Sequence, residues 1–271
     1  MVAAVSALRA RGVAGILAAM SKWVIDFPAD AGSRLRLFCL HCAGGSAGQF
    51  RPWVAPARPQ IQIAGIQLPG REGRFGEAPA TDVRSLIERM GPELLPFMDR
   101  PFALFGHSLG ALVAFELTRW LRESRLELPQ HLFVASRPAP QNVDNRPALD
   151  VLPTPELLQA LEGYGGIAPE LLNEEGIGWF LPTIRADFRL NRNYRHRPEA
   201  PLPVPITAFQ GCDDPFCSPA EIEEWGTQTN RQFSIHCMPG AHFFLRSQYP
   251  NILAQVRAAL TAPSHFAMSA M

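Results

Sequence analysis

Ser108 sits between two glycines in Gly106-His107-Ser108-Leu109-Gly110, where one apolar run ends (Pro101–Phe105) and another begins (Ala111–Leu121). A strand, a tight G-x-S-x-G turn and a helix is the context that exposes a serine hydroxyl at a strand end as a nucleophile. The turn is sharp, and residues without side chains beside the serine avoid collisions with the strand and helix. A hydroxyl is a poor nucleophile until a base takes its proton. Ser108 therefore calls for a histidine, and that histidine for an orienting carboxylate.

In strand–turn–helix hydrolases the chain order is serine, acid, histidine. The downstream histidines are His131, His196, His236, His242 and His265. His131 opens an expected strand, His236 lies inside another, His265 falls in the tail and His196 falls near the end of a helical insertion. Only His242, in Pro239-Gly-Ala-His242, occupies a loop between the last expected strand and the last helix. For the acid, Asp213 and Asp214 both follow the expected strand 204–210. Neighbouring side chains alternate in direction, so only one can face His242. Asp214 precedes Pro215, which favours an extended backbone, but spacing alone leaves the two open, with Asp187 a distant third. An oxyanion needs two backbone N–H donors: Leu109 follows the nucleophile, and the loop His41-Cys-Ala-Gly-Gly-Ser46 offers Ala43 or Cys42 as the second.

These residues need a frame. Alternating or apolar runs predict strands over 34–40, 60–68, 101–106, 131–136, 204–210 and 232–237. Helical spacing covers 81–98 (capped by Thr81 or Asp82), 108–124, 219–227 and 247–260. Strands alternating with helices imply right-handed crossovers and a mostly parallel sheet covered on both faces. The stretch from about 138 to 200 breaks that rhythm, with helical pieces at 155–161 and 179–193 and no strand. An insertion after strand 131–136 emerges at the carboxyl edge, where such sheets bind ligands, so it reads as a helical lid.

The 271 residues, 47% hydrophobic and 18% charged, suffice for one sizeable core. Lys+Arg 25 balances Asp+Glu 25, which gives no electrostatic case for nucleic acid or an anionic membrane. The five cysteines fit no zinc spacing and read as free thiols in a reducing cytoplasm. No apolar run reaches the ~20 residues of a membrane span. Residues 1–22 read as a flexible N-terminal extension to a domain over 23–271; arginines at 9 and 11 interrupt the apolar core a signal peptide would need.

From about 34 to 262 the chain resembles the type II thioesterases, enzymes that accompany polyketide and nonribosomal peptide synthetases. The matching segments are Leu37-Phe-Cys-Leu-His-Cys-Ala-Gly-Gly-Ser-Ala47, Phe50-Arg-Pro-Trp53, Leu68-Pro-Gly-Arg-Glu-Gly-Arg74, Phe105–Ala111, Arg185-Ala-Asp187 with Tyr194, Gly211–Pro215 and Gly240–Phe244. The resemblance implies an α/β-hydrolase fold: a mostly parallel sheet, helices on both faces and a helical lid insertion at about 138–200. It places the triad on Ser108, Asp214 and His242, and the oxyanion donors on Ala43 and Leu109. It implies acyl-thioester hydrolysis on the phosphopantetheine arm of a carrier protein by a cytoplasmic monomer needing no metal or cofactor. Members usually carry Pro-His before Ala-Gly-Gly where this chain has His41-Cys42, a change at the expected pantetheine entrance that bears on substrate range. Arg189, Arg192, Arg195 and Arg197 form a basic run that reads either as a docking aid for an acidic carrier or as an ordinary solvated face. The same triad would also serve oxygen esters or acyl transfer.

Overall fold

The computed structural model describes residues 21–30, 32–142, 147–166 and 177–261. The expected flexible extension and His265 lie largely or wholly outside them. Seven strands form one sheet in the order β1-β3-β2-β4-β5-β6-β7. They are β1 (Val24–Asp26), β2 (Leu35–Leu40), β3 (Ile61–Ile66), β4 (Phe102–His107), β5 (Leu132–Ala135), β6 (Ile206–Gly211) and β7 (Phe233–Met238). Every pairing is parallel except the antiparallel edge β1·β3. A parallel sheet is covered on both faces, so its strands are apolar along their whole length. Accordingly β2 through β6 are buried at every position. Arg36 is the polar intruder in β2; it is held by Asp99 at 2.7 Å and Gln62 at 3.1 Å.

The helices are α1 (Val54–Ala57), α2 (Val83–Leu94), α3 (Leu109–Glu123), α4 (Thr154–Tyr164), α5 (Leu181–Asn193), α6 (Pro219–Glu223) and α7 (Leu245–Thr261). One face of the sheet packs against α2 and α3 through residues such as Phe38, Leu104 and Leu112. The other packs against α1 and α7 through Phe50, Trp53, Phe105 and Leu253. Local chemistry sets the helix starts. Asp82 caps α2 by accepting from Ser85 N at 2.7 Å. Ser218 and Glu221 form a reciprocal capping box on α6 with Pro219 in its first turn. Several short elements went unread in the sequence, two of them for plain reasons. The three-residue β1 is too short to show alternation, and the 3₁₀ turn over Ala47–Trp53 leading into α1 carries Gly48 and Pro52, residues that mark loops.

The insertion after β5 holds α4 and α5 with their own small core of Leu149, Leu157, Leu161, Ile177 and Ile184. Ion pairs on two buried carboxylates organise it. Asp150, 3% exposed, accepts from Arg192 at 2.7 Å and Arg189 at 3.3 Å. Asp187 on α5 takes both guanidinium nitrogens of Arg71 at 2.8 Å, with 1% and 6% of the two residues exposed. This bidentate geometry is the strong form of an arginine–carboxylate contact.

The expectation of five free thiols needs correction. Cys212 and Cys237 are joined as a disulfide, and Cys39, Cys42 and Cys217 remain free and buried. Spacing hid the pair because 25 residues separate them. The parallel register of β6 and β7 sets Gln210 opposite Cys237, which brings Cys212 just past it to a Cα–Cα distance of 5.4 Å.

Removing one member of a buried ion pair strands the other charge. Asp187→Ala is expected to cost about 3–5 kcal/mol in urea unfolding, while the double change Asp187→Leu with Arg71→Met costs far less. Equal losses in the two variants would refute the ion-pair account of how the lid is seated.

Candidate active site

β4 ends at His107, Ser108 turns the chain, and α3 starts at Leu109. Ser108 adopts φ 54°, ψ −112°, a strained backbone for a residue with a Cβ. It stands at the N-cap of α3 but its hydroxyl caps nothing there. The flanking glycines have a measurable reason. A Cβ on Gly106 would lie 2.3 Å from the Gly110 carbonyl oxygen, and one on Gly110 would lie 2.2 Å from the Leu40 oxygen. The elbow closes only with both side chains absent.

The structure brings Ser108, His242 and Asp214 into one chain of contacts. His242 Nε2 is 3.2 Å from Ser108 Oγ, and His242 Nδ1 is 2.9 Å from Asp214 Oδ2. Asp214 Oδ1 accepts from Phe216 N at 2.9 Å. Burial alone would raise the Asp214 pKa, but the His242 hydrogen bond and charge, the Phe216 N–H and Ser136 outweigh it and hold the carboxyl below its ordinary value. Nδ1 of His242 thereby carries the proton and Nε2 is left to accept from Ser108. The loop bearing His242 is fixed from behind, because the His242 carbonyl accepts from His107 Nε2 at 2.9 Å and Ser136 Oγ at 3.1 Å. Burial, with His242 beside it, pushes the His107 pKa down to about 3, so it stays neutral. Tyr164, Phe216 and Phe243 surround the imidazole edge to face at 5.3–5.6 Å.

Asp213 is exposed and its N–H closes the turn onto Gly240 O at 3.1 Å. Asp187 is engaged with Arg71 and with the loop after β2, where it accepts from Gly44 N at 2.8 Å. The other described histidines do not reach Ser108. His131 stacks on Phe133 and bonds Thr207 Oγ1, His236 stacks on Phe209, and His196 lies near Phe115. Of the basic run, Arg189 and Arg192 pair with Asp150, Arg197 with Glu123 and Glu199, and Arg195 donates to the Arg192 and Tyr194 carbonyls.

Two recesses meet at Ser108. A cleft of about 710 Å³ is walled by Phe50, Trp53, Phe243 and Tyr249 from the core and Leu161 and Ile184 from the lid. A smaller recess of about 50 Å³ is lined by Ala43, Ser108 and Leu109 together with Leu149 and Phe188 of the lid. Cys42 lines the larger cleft. Burial pushes its thiol up to about 12, so it acts as a small neutral wall. Among the described residues no cluster of three or more His, Cys, Asp or Glu side chains could hold a metal ion, and no helix is long and apolar enough to cross a membrane.

Sequence reasoning missed the aromatic collar of Tyr164, Phe216 and Phe243, and the support given by His107 and Ser136. His107 lay inside the G-x-S-x-G motif, which was a signal; Ser136 and Tyr164 had none in their spacing.

Comparison with known proteins agrees with this geometry. A family profile described as a thioesterase domain matches residues 35–260. "Linear gramicidin dehydrogenase LgrE" of Brevibacillus parabrevis is 39% identical over 244 residues, spanning 89% of this chain and 93% of its own. "Gramicidin S biosynthesis protein GrsT" of Aneurinibacillus migulanus is 38% identical over 236 residues, spanning 86% and 92%. Among solved structures, BorB, titled a type II thioesterase from the borrelidin biosynthetic cluster, is 35% identical with a TM-score of 0.81, covering 88% of this chain and 97% of that one. With its sheet of mostly parallel strands, its helical lid and these relatives, the chain belongs to the thioesterase family of α/β hydrolases and, within it, to the type II thioesterases.

Proposed function

We propose that this chain hydrolyses acyl thioesters held on the phosphopantetheine arm of a carrier protein in polyketide or nonribosomal peptide synthesis, clearing stalled or wrong acyl groups in the cytoplasm. The observation that supports this most directly is the contact chain Ser108 Oγ–His242 Nε2 at 3.2 Å and His242 Nδ1–Asp214 Oδ2 at 2.9 Å. The relatives supply the substrate class. GrsT and BorB are named for gramicidin S biosynthesis and the borrelidin cluster.

In this reading His242 Nε2 takes the Ser108 proton as Oγ attacks the thioester carbonyl. The carbonyl oxygen becomes an oxyanion, and the Ala43 and Leu109 N–H groups receive it. Collapse breaks the C–S bond and the departing thiolate takes the Nε2 proton, which leaves His242 neutral again; a thiol with a pKa near ~8.5 depends on that proton less than an amine would. His242 then takes a proton from water, whose oxygen attacks the acyl-serine ester; the acid leaves and Ser108 regains its proton. Asp214 holds the imidazole tautomer and balances the imidazolium charge. None of these steps needs a metal or bound cofactor.

Ser108→Ala is expected to lower release of free acid from acyl-loaded carrier protein by about 10³-fold or more, and Asp214→Asn to lower kcat by about 10⁴-fold. Mass spectrometry of the carrier measures both. Preference for a simple aryl ester over every acyl carrier would favour an oxygen-ester hydrolase instead.

Asp214 also makes a pH prediction. Its folded pKa lies below the ordinary 3.8, so its stabilisation is present above that pH and is lost as pH falls through the folded value. The stability gap between wild type and Asp214→Asn is therefore expected to be full at neutral pH and to close below pH 3.8. Denaturant midpoints across that range provide the check; a gap that widens in acid contradicts the assigned ionisation.

A further inference from the structure

His41 is buried to 1% exposure in the loop that follows β2, beside the elbow. Its Nδ1 lies 2.8 Å from the carbonyl oxygen of Cys42. A carbonyl can only accept, so the proton is on Nδ1. Burial, with Arg71 and His107 nearby, lowers the His41 pKa to about 3, so the ring is neutral and carries that one proton. Nε2 is then a bare lone pair, and it is buried with no hydrogen-bond partner among the described residues. Leaving such a group unsatisfied is destabilising. The ring keeps this arrangement, with its one donor committed to the Cys42 carbonyl.

That carbonyl is one end of a rigid plane whose other end is the Ala43 N–H. Fixing the oxygen fixes the direction of the N–H. The Cys42 oxygen also accepts from Gly45 N at 3.0 Å, so two donors hold it. The next peptide is pinned separately, by Gly44 N on Asp187 at 2.8 Å. Such pinning matters because Gly44 sits at φ +68°, and a Gly-Gly pair leaves the segment free to rotate its peptide planes. Ala43 shares the small recess with Ser108 and Leu109. Hydrogen bonds onto a carbonyl also polarise its peptide, which strengthens the N–H at the far end as a donor.

We propose that His41 is a positioning residue: its Nδ1–H, held on the Cys42 carbonyl, orients the Cys42–Ala43 peptide so that the Ala43 N–H meets the oxyanion formed on Ser108. This rests on the reading of Ala43 as an oxyanion donor given above.

Three substitutions test it. His41→Asn places an amide N–H close to where Nδ1 stands, His41→Gln carries its N–H one bond further out towards the place of Nε2, and His41→Leu fills the space with no donor. With acyl-loaded carrier, Asn is expected to stay within about threefold of wild-type kcat. Gln and Leu are expected to fall about tenfold or more, short of the 10²–10³ that outright loss of a donor costs. KM should move by less than about twofold, because the contact strengthens in the transition state. Affinity for a trifluoromethyl ketone, whose adduct on the serine places an alkoxide in the same hole, should fall in step with kcat. A packing role would not separate Asn from Gln, nor tie the loss to the ketone. Wild-type kcat in the Gln or Leu variant, or Asn falling as far as Gln, overturns the proposal. Should the Leu variant not fold, the Asn and Gln comparison decides alone. Failure of the underlying hydrolase reading shows elsewhere, as wild-type protein that releases no acid or Ser108→Ala that remains fully active.

Discussion

One imidazole must hold its proton on the nitrogen facing Asp214 and keep the other nitrogen bare towards Ser108; much of the molecule serves that requirement. The Asp214 contact at 2.9 Å sets the tautomer. His107 and Ser136 grip the His242 backbone carbonyl, so the ring is positioned through its main chain as well as its side chain. Both supports come from strand ends, β4 and β5, which the parallel sheet places next to each other in register. Three aromatic rings then close around the imidazole and thin the water beside it, which strengthens the electrostatic contacts within.

The same economy runs through the loop after β2. Its carbonyls and N–H groups are held by His41, by Gly45 and by the lid residue Asp187. Backbone donors cost nothing in side-chain entropy, but they point where their peptide planes point, and glycine-rich segments do not fix those planes unaided. Buried neutral imidazoles suit the task, since each offers one strong donor without bringing a charge near the serine.

Much of this was legible in the residues. G-x-S-x-G between two apolar runs located the elbow, and the order of later motifs singled out His242 by the loop it occupies. Spacing could not choose between Asp213 and Asp214, because their difference lies in which way one peptide turns before Pro215. The coarse order of strands was readable because five of them are mostly apolar and buried from end to end. Long-range pairings were not. Arg71 and Asp187 are 116 residues apart, and nothing in either neighbourhood announces the other. Arg189 and Arg192 are exposed, and their pairing was hidden because the partner, Asp150, is buried and lies a whole helix away. The Cys212–Cys237 bond depended on register between β6 and β7, which single-chain spacing does not reveal.

The anchoring of α5 has a bearing on how a long substrate gets in. Lifting that helix would strip the buried Arg71 guanidinium of its counter-charge, at about 3–5 kcal/mol, and would also break the 2.6 Å bond from Thr183 to the Gly70 carbonyl. The end of α4 is seated against the site itself, where Tyr164 stacks on Phe216 at 3.8 Å and meets the His242 imidazole edge to face at 5.5 Å. The cover is thus bolted to the core along α5, and a long substrate has to thread beneath that helix into the cleft, because raising it would leave a bare guanidinium buried.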